Sequence, residues 1–211
     1  MYRVYFEAAI RFLETKGIAC ELYEGRRLSE SELAELPQTI GTRIPQDLYA
    51  YLRELGDGFS IQWELPNSSD LVCFGLSFLD DIQQEFAWLQ NQLREIADNG
   101  RAEIAEEAKR RMNWLPVIGI GEGGYEFCLD TMTESAAVHY YESQWPNNQA
   151  VWQSSIGRSL KNLIREWSRY CFSPPIINGV YISMTIVAGN LDRQFDWAPS
   201  RFNAQFDRGP Q

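Results

Sequence analysis

The chain has 211 residues, 45% of them hydrophobic, with seven Trp, ten Tyr and eleven Phe, enough to build a packed core and to exclude a disordered chain. Its 29 Asp and Glu against 19 Lys and Arg give a net charge of −10, which disfavours nucleic-acid binding because phosphate affinity needs clustered cations. No stretch approaches the ~20 apolar residues of a membrane-spanning helix and charges interrupt the apolar run of Met1–Glu7, so no signal peptide is visible and a cytoplasmic protein of one domain is expected.

Residues 2–16 carry a helical stripe at Val4, Tyr5, Ala8, Ala9, Phe12 and Leu13, which Gly17 closes. Ser29-Glu30-Ser31-Glu32 has capping-box spacing ahead of Leu33 and Leu36 and marks a second short helix, with Pro37 and Gly41 as punctuation. Pro45 opens a third helix through Leu48, Tyr49, Tyr51, Leu52 and Leu55, since the first helical amide has no intrahelical partner to lose. Gly56-Asp57-Gly58 ends it. Residues 59–65 alternate as a strand, 66–69 turn, and 71–79 return as the second strand of a hairpin. Residues 80–112 read as helix, with Ile82, Phe86, Leu89, Leu93 and Ile96 at steps of three or four and a break at Asn99-Gly100. Asp80 and Asp81 sit where the helix macrodipole favours negative charge.

Gly119, Gly121 and Gly124 match G-x-G-x-x-G. A dinucleotide-binding turn requires a helix after the glycines, whose N-terminus takes the pyrophosphate. Here the glycines lead into Tyr125-Glu126-Phe127-Cys128-Leu129-Asp130, with a period of two, and Glu122 inside the loop would repel phosphate. The segment therefore reads as a strand–loop–strand hairpin. Residues 137–142 and 151–154 are further strands, 159–172 a closing amphipathic helix, and 180–187 a last strand-like run. Tight turns between consecutive strands favour antiparallel pairing, so the fold class is α+β: a single domain with a mainly antiparallel sheet flanked by N-terminal, inserted and C-terminal helices. Residues 1–40 form a helical segment of that domain, 41–172 its core and 173–211 a C-terminal extension.

Charge is segregated along the chain. Residues 54–93 hold seven acids and no Lys or Arg, and residues 113–157 hold five acids and again no Lys or Arg. These are the segments that read mostly as β. A basic protein partner is favoured, since complementary fields speed encounter and select partners.

The run Gly41-Thr42-Arg43-Ile44-Pro45 through Leu55-Gly56-Asp57-Gly58-Phe59 resembles a hallmark of the SUKH superfamily, the Smi/Knr-like group, in which Ile-Pro starts a helix that ends at a Gly-containing turn before a strand. Leu115-Pro116-Val117-Ile118, with its glycine hinge and the aromatic strand ending in Leu129-Asp130, is similar to a second hallmark, and Ser154 to Leu160 to a third. The resemblance covers about residues 41–172; the long helical region 80–112 and residues 174–211 depart from it. It implies a compact α+β domain without a known catalytic set or cofactor. Bacterial members are typically immunity proteins that neutralise a polymorphic toxin, often a nuclease, by binding it; fungal relatives regulate cell-wall synthesis. A regulatory or scaffold role in cell-envelope or signalling control is the alternative that this implies.

The residues themselves favour a binder over an enzyme. His139, the single histidine, lies in a strand with no G-x-S-x-G nucleophile signature and reads as a histidine packed beside aromatics. With four scattered cysteines, Cys20, Cys73, Cys128 and Cys171, it makes no zinc-ligand spacing. Cys73 and Cys128 read as small buried hydrophobes. A binding module needs only a surface, and Asp57, Glu64, Glu122, Glu126, Asp130 and Glu142 are the candidate partner-facing acids, with Trp63, Tyr140 or Trp145 as aromatic anchors. Glu126 and Asp130 share strand parity, which predicts one solvent-facing side.

Overall fold

The computed structural model describes residues 1–64, 71–120, 125–133, 137–142, 155–169, 171–172, 176–177 and 180–181. Helix α1 (Arg3–Thr15) buries Phe6, Ala9 and Leu13 and stops where Gly17 takes φ +72°. Helix α2 (Glu30–Ile40) starts with the expected capping box, in which the Glu32 amide donates to Ser29 Oγ and the Ser29 amide donates to the Glu32 carboxylate. It runs through Pro37 rather than stopping there. A proline this late removes one intrahelical bond, and Gly41, at φ +84°, makes the actual stop.

Helix α3 (Gln46–Leu55) begins after Pro45, at φ −62°, and buries Leu48, Tyr51, Leu52 and Leu55. It ends at Gly56, where φ is +89° and the backbone of Gly25 crosses so closely that a Cβ on Gly56 would lie 2.8 Å from the Gly25 carbonyl carbon. That crossing seats a two-way bridge between Arg26 and Asp57, with amide–carbonyl distances of 2.7 and 2.9 Å.

Three antiparallel strands take the order β1-β2-β3: β1 (Cys20–Tyr23), β2 (Ser60–Glu64) and β3 (Leu71–Gly75). The predicted β2–β3 hairpin is present, whereas β1 has no counterpart in the sequence reading. β3 ends at Gly75 instead of residue 79, because Leu79 already begins helix α4 (Leu79–Asn99). Gly100 separates α4 from α5 (Ala102–Arg111), as expected.

A second antiparallel sheet has the order β4-β5-β6-β7, with β4 (Trp114–Ile120), β5 (Tyr125–Asp130), β6 (Val138–Glu142) and β7 (Ser155–Gly157). β4 accommodates Pro116 at a register shift before Ile118. Helix α6 (Leu160–Ser168) is shorter than the expected 159–172, because Cys171 and Phe172 turn the chain with φ of +46° and +61°. A two-stranded ribbon, β8 (Ile176–Ile177) with β9 (Val180–Tyr181), closes the described part. The predicted strand at 151–154, the turn at 66–69 and most of the strand at 180–187 lie outside the described residues.

The main core joins both sheets to the helices. Phe172 stacks between Phe6 and Phe74, at 4.6 and 4.5 Å, and Trp167 of α6 meets Phe74 of the first sheet at 4.6 Å and Phe127 of the second at 5.1 Å. The Ser77 amide donates to the Val117 carbonyl at 2.9 Å, tying the exit of β3 to β4. A smaller cluster of Leu89, Leu93, Ala108, Trp114 and Cys128 packs the α4–α5 hairpin onto the other face of the second sheet. The architecture is that of an α+β domain.

Candidate functional site

The six candidate acids are spread over both sheets, and the structure gives them unequal roles. Asp57 stands in the turn after α3 with its side chain only 12% exposed. Its Oδ1 accepts from the Leu79 amide at 2.9 Å, capping the first turn of α4, and Oδ2 lies 3.9 Å from the Arg26 guanidinium. Burial pushes its carboxyl above the usual range; the Leu79 amide and Arg26 oppose this, and Asp80 and Asp81 push further upward. Asp57 is thus engaged inside the molecule. Glu64, the last residue of β2, is exposed and opposite Leu71.

In the second sheet the register sets Glu126 opposite both Gly119 and Tyr141, and Glu142 opposite Tyr125. Glu126 and Glu142 thus occupy neighbouring rungs of opposite parity. Asp130 is half-buried opposite Trp114, and its Oδ1 accepts from the Met132 amide at 2.9 Å. Cys128, midway between Glu126 and Asp130, is fully buried under the α4–α5 hairpin. The side predicted to face solvent is therefore covered at its centre. Glu122 lies outside the described residues.

Residues 121–124 of the glycine hinge lie outside the described residues, and what flanks them is a strand pair. Ile120 pairs with Tyr125, so the segment after Gly124 is strand β5 and offers no helix N-terminus. The aromatic anchors also need correction. Trp63 is buried, with its indole N–H donating to the Cys171 carbonyl at 2.8 Å. Tyr140 is placed opposite Phe127 in β6, and Trp145 lies outside the described residues. Cys128 is buried as expected, but Cys73 is exposed, because Val72 and Phe74 take the core-facing positions of β3.

His139 does pack against an aromatic ring, stacking on Trp114 with centroids 4.3 Å apart and planes within 9°. The Arg111 guanidinium also lies over Trp114, at 5.2 Å, and donates to Glu107 at 2.6 Å. Burial lowers the His139 pKa; Asp130 opposes that shift and Arg111 reinforces it. Among the described residues no group of three or more His, Cys, Asp or Glu is placed to hold a metal ion, and no helix is long and apolar enough to cross a membrane.

Three exposed aromatics, Tyr23, Phe78 and Trp88, escaped the sequence reading. Trp88 was detectable there, since it falls off the Ile82, Phe86, Leu89, Leu93 stripe that the helix buries. Phe78 was hidden by its assignment to a strand.

No curated protein matches the chain, and no solved structure matches it. A family model, that of the SMI1 / KNR4 family (SUKH-1), matches residues 27–157. Its span contains α2, α3 with the Gly56 turn, β2 and β3, the α4–α5 hairpin and the second sheet, and leaves out α1 and β1. Membership supports protein–protein interaction as the general mode of action. The chain belongs to the SMI1 / KNR4 family (SUKH-1).

Proposed function

We propose that the chain is a non-catalytic binding module, an immunity protein that neutralises a cognate basic toxin domain, such as a nuclease, by direct contact through an acidic surface. Family membership supports a binding role. The observation that carries the electrostatic part is the segregation of charge: residues 54–93 and 113–157 contain twelve Asp and Glu and no Lys or Arg, and they form β2 to β7 and most of α4. Such a field accelerates encounter with a cationic partner and rejects nucleic acid. Glu64, Glu122, Glu126, Asp130 and Glu142 are proposed as contributors to this field from β2 and from both sides of the second sheet, whereas Asp57 is assigned the capping of α4.

Where a large secreted protein with a variable C-terminal domain is encoded beside this chain, co-expression with that domain tests the reading. Restored growth and a stable complex are expected. Continued killing, with both proteins soluble, overturns neutralisation; recovery of cell-envelope or signalling proteins instead of a toxin favours the regulatory alternative.

A further inference from the structure

We infer that the outward side of the first half of α4, bounded by Phe78 and Trp88, is a docking face for a cationic, apolar-studded segment of a partner protein. The inference rests on the binding-module reading but assigns a surface separate from the acids of the second sheet.

The inward side of α4 is accounted for by Ile82, Phe86, Leu89 and Leu93, all buried. Asp81, Glu85 and Trp88, at steps of four and three, share the outward side and are exposed. Phe78 immediately precedes the first turn and is 56% exposed, and Trp88 is 40% exposed. At 1.5 Å per residue the backbone positions of the two residues are about 15 Å apart along the axis, with Asp81 and Glu85 between them. Large aromatic side chains are the residues that carry binding energy at protein interfaces.

Phe78 is held in place rather than loose. Its ring lies over Gly58 so closely that a Cβ there would meet Phe78 Cε1 at 2.1 Å. A side chain fixed before the partner arrives loses little freedom on binding.

Charge decides the occupant. Asp80, Asp81 and Glu85 are exposed, and among the described residues no salt bridge reaches them. Arg26, a cation that senses Asp80, is committed to Glu32 at 2.6 Å and to Asp57 at 3.9 Å. A second copy of the chain, at net charge −10, would set like charges against this face, and an anionic membrane surface is repelled for the same reason. A Lys- or Arg-bearing segment with apolar side chains for the two rings satisfies both features.

The test titrates the isotope-labelled full chain with a short peptide of alternating Lys and Leu and follows amide and indole shifts by NMR. Perturbations are expected along residues 78–88 and at the Trp88 indole. Asp81→Lys with Glu85→Lys, and separately Trp88→Ala, are each expected to weaken binding about tenfold or more. Both changes are at exposed positions, and unchanged melting temperatures certify the fold. Perturbations confined to the second sheet, or affinity indifferent to both variants, overturn the inference. So does concentration-dependent self-association that these variants abolish. Protection from the toxin combined with a silent α4 face removes this docking face and leaves the immunity reading standing; peptide binding at α4 with no protection does the reverse.

Discussion

Three carboxylates of one short segment cap three other helices. Asp47, in the first turn of α3, accepts from the Lys161 amide at 3.2 Å and so caps α6. Glu54, in its last turn, accepts from the Tyr2 and Arg3 amides at 2.7 and 2.9 Å and caps α1. Asp57 does the same for α4 through Leu79. Helix N-termini leave unsatisfied amides and a partial positive charge, so a carboxylate delivered from a neighbour serves both needs. Replacing Asp57 with Ala should lower unfolding stability by about 1–2 kcal/mol, the range for a lost helix cap, in urea titrations. Asp57→Asn keeps an acceptor and should lose clearly less; equal losses would mean that charge, not the hydrogen bond, matters. His139 supplies the pH-dependent counterpart. Its folded pKa is lowered, chiefly by burial, from the usual 6.5, so the unfolded chain binds the proton more readily. Its contribution to stability is full above that value and is lost as pH falls below it. His139→Phe, which preserves a ring against Trp114, should therefore flatten the stability profile between about pH 7 and 5. An unaltered slope would place the acid sensitivity elsewhere.

At the scale of elements, the helices were legible because their spacing is local. The Ser29 capping box, the Pro45 start and the buried stripe of α4 each carry their own signal within a few residues. β1 carried none: Cys20–Tyr23 is four residues long, and it is a strand because it pairs with β2, Cys20 opposite Trp63 and Tyr23 opposite Ser60. The end of α6 was illegible for a related reason. Cys171 and Phe172 adopt positive φ, unfavourable for non-glycine residues, and aromatic packing far away in sequence offsets that cost. Phe172 is sandwiched by Phe6 and Phe74, while the Cys171 carbonyl accepts from Trp63. Phe172→Ala should accordingly destabilise by about 3–5 kcal/mol, as for other buried aromatic truncations, with Phe172→Leu much milder; calorimetry decides. The candidate acids show the same divide. Their clustering is a property of the sequence, but which carboxylate caps a helix, as Asp57 does, and which meets solvent, as Glu64 does, depends on Leu79 and Arg26 arriving from other elements. Trp63 and Trp88 differ likewise, one buried in an alternating strand and one left outside a helical stripe.

For the whole molecule, the arrangement of the cores sets what unfolds with what. Trp167 touches aromatic rings from both sheets, so neither sheet keeps its buried face if α6 detaches, and the two should be lost together. α4 bridges this unit and the lesser one: Ile82 and Phe86 belong to the main core, whereas Leu89 and Leu93 belong to the small cluster with Ala108, Trp114 and Cys128. A cluster of that size buries little apolar area and should open below the global free energy. Native-state hydrogen exchange at rising denaturant checks this: amides of α5 and the second half of α4 should exchange through a sub-global opening, while those of β2, β3, β5 and the first half of α4 track global unfolding. Coincident exchange would make the two clusters one cooperative unit. Leu93→Ala separates the alternatives further, since it should speed exchange in α5 yet leave Phe78, Asp81 and Glu85 in place. Those outward-facing groups lie on the half of α4 anchored by the main core, so a partner seated there meets a surface that local opening of the α4–α5 hairpin leaves formed.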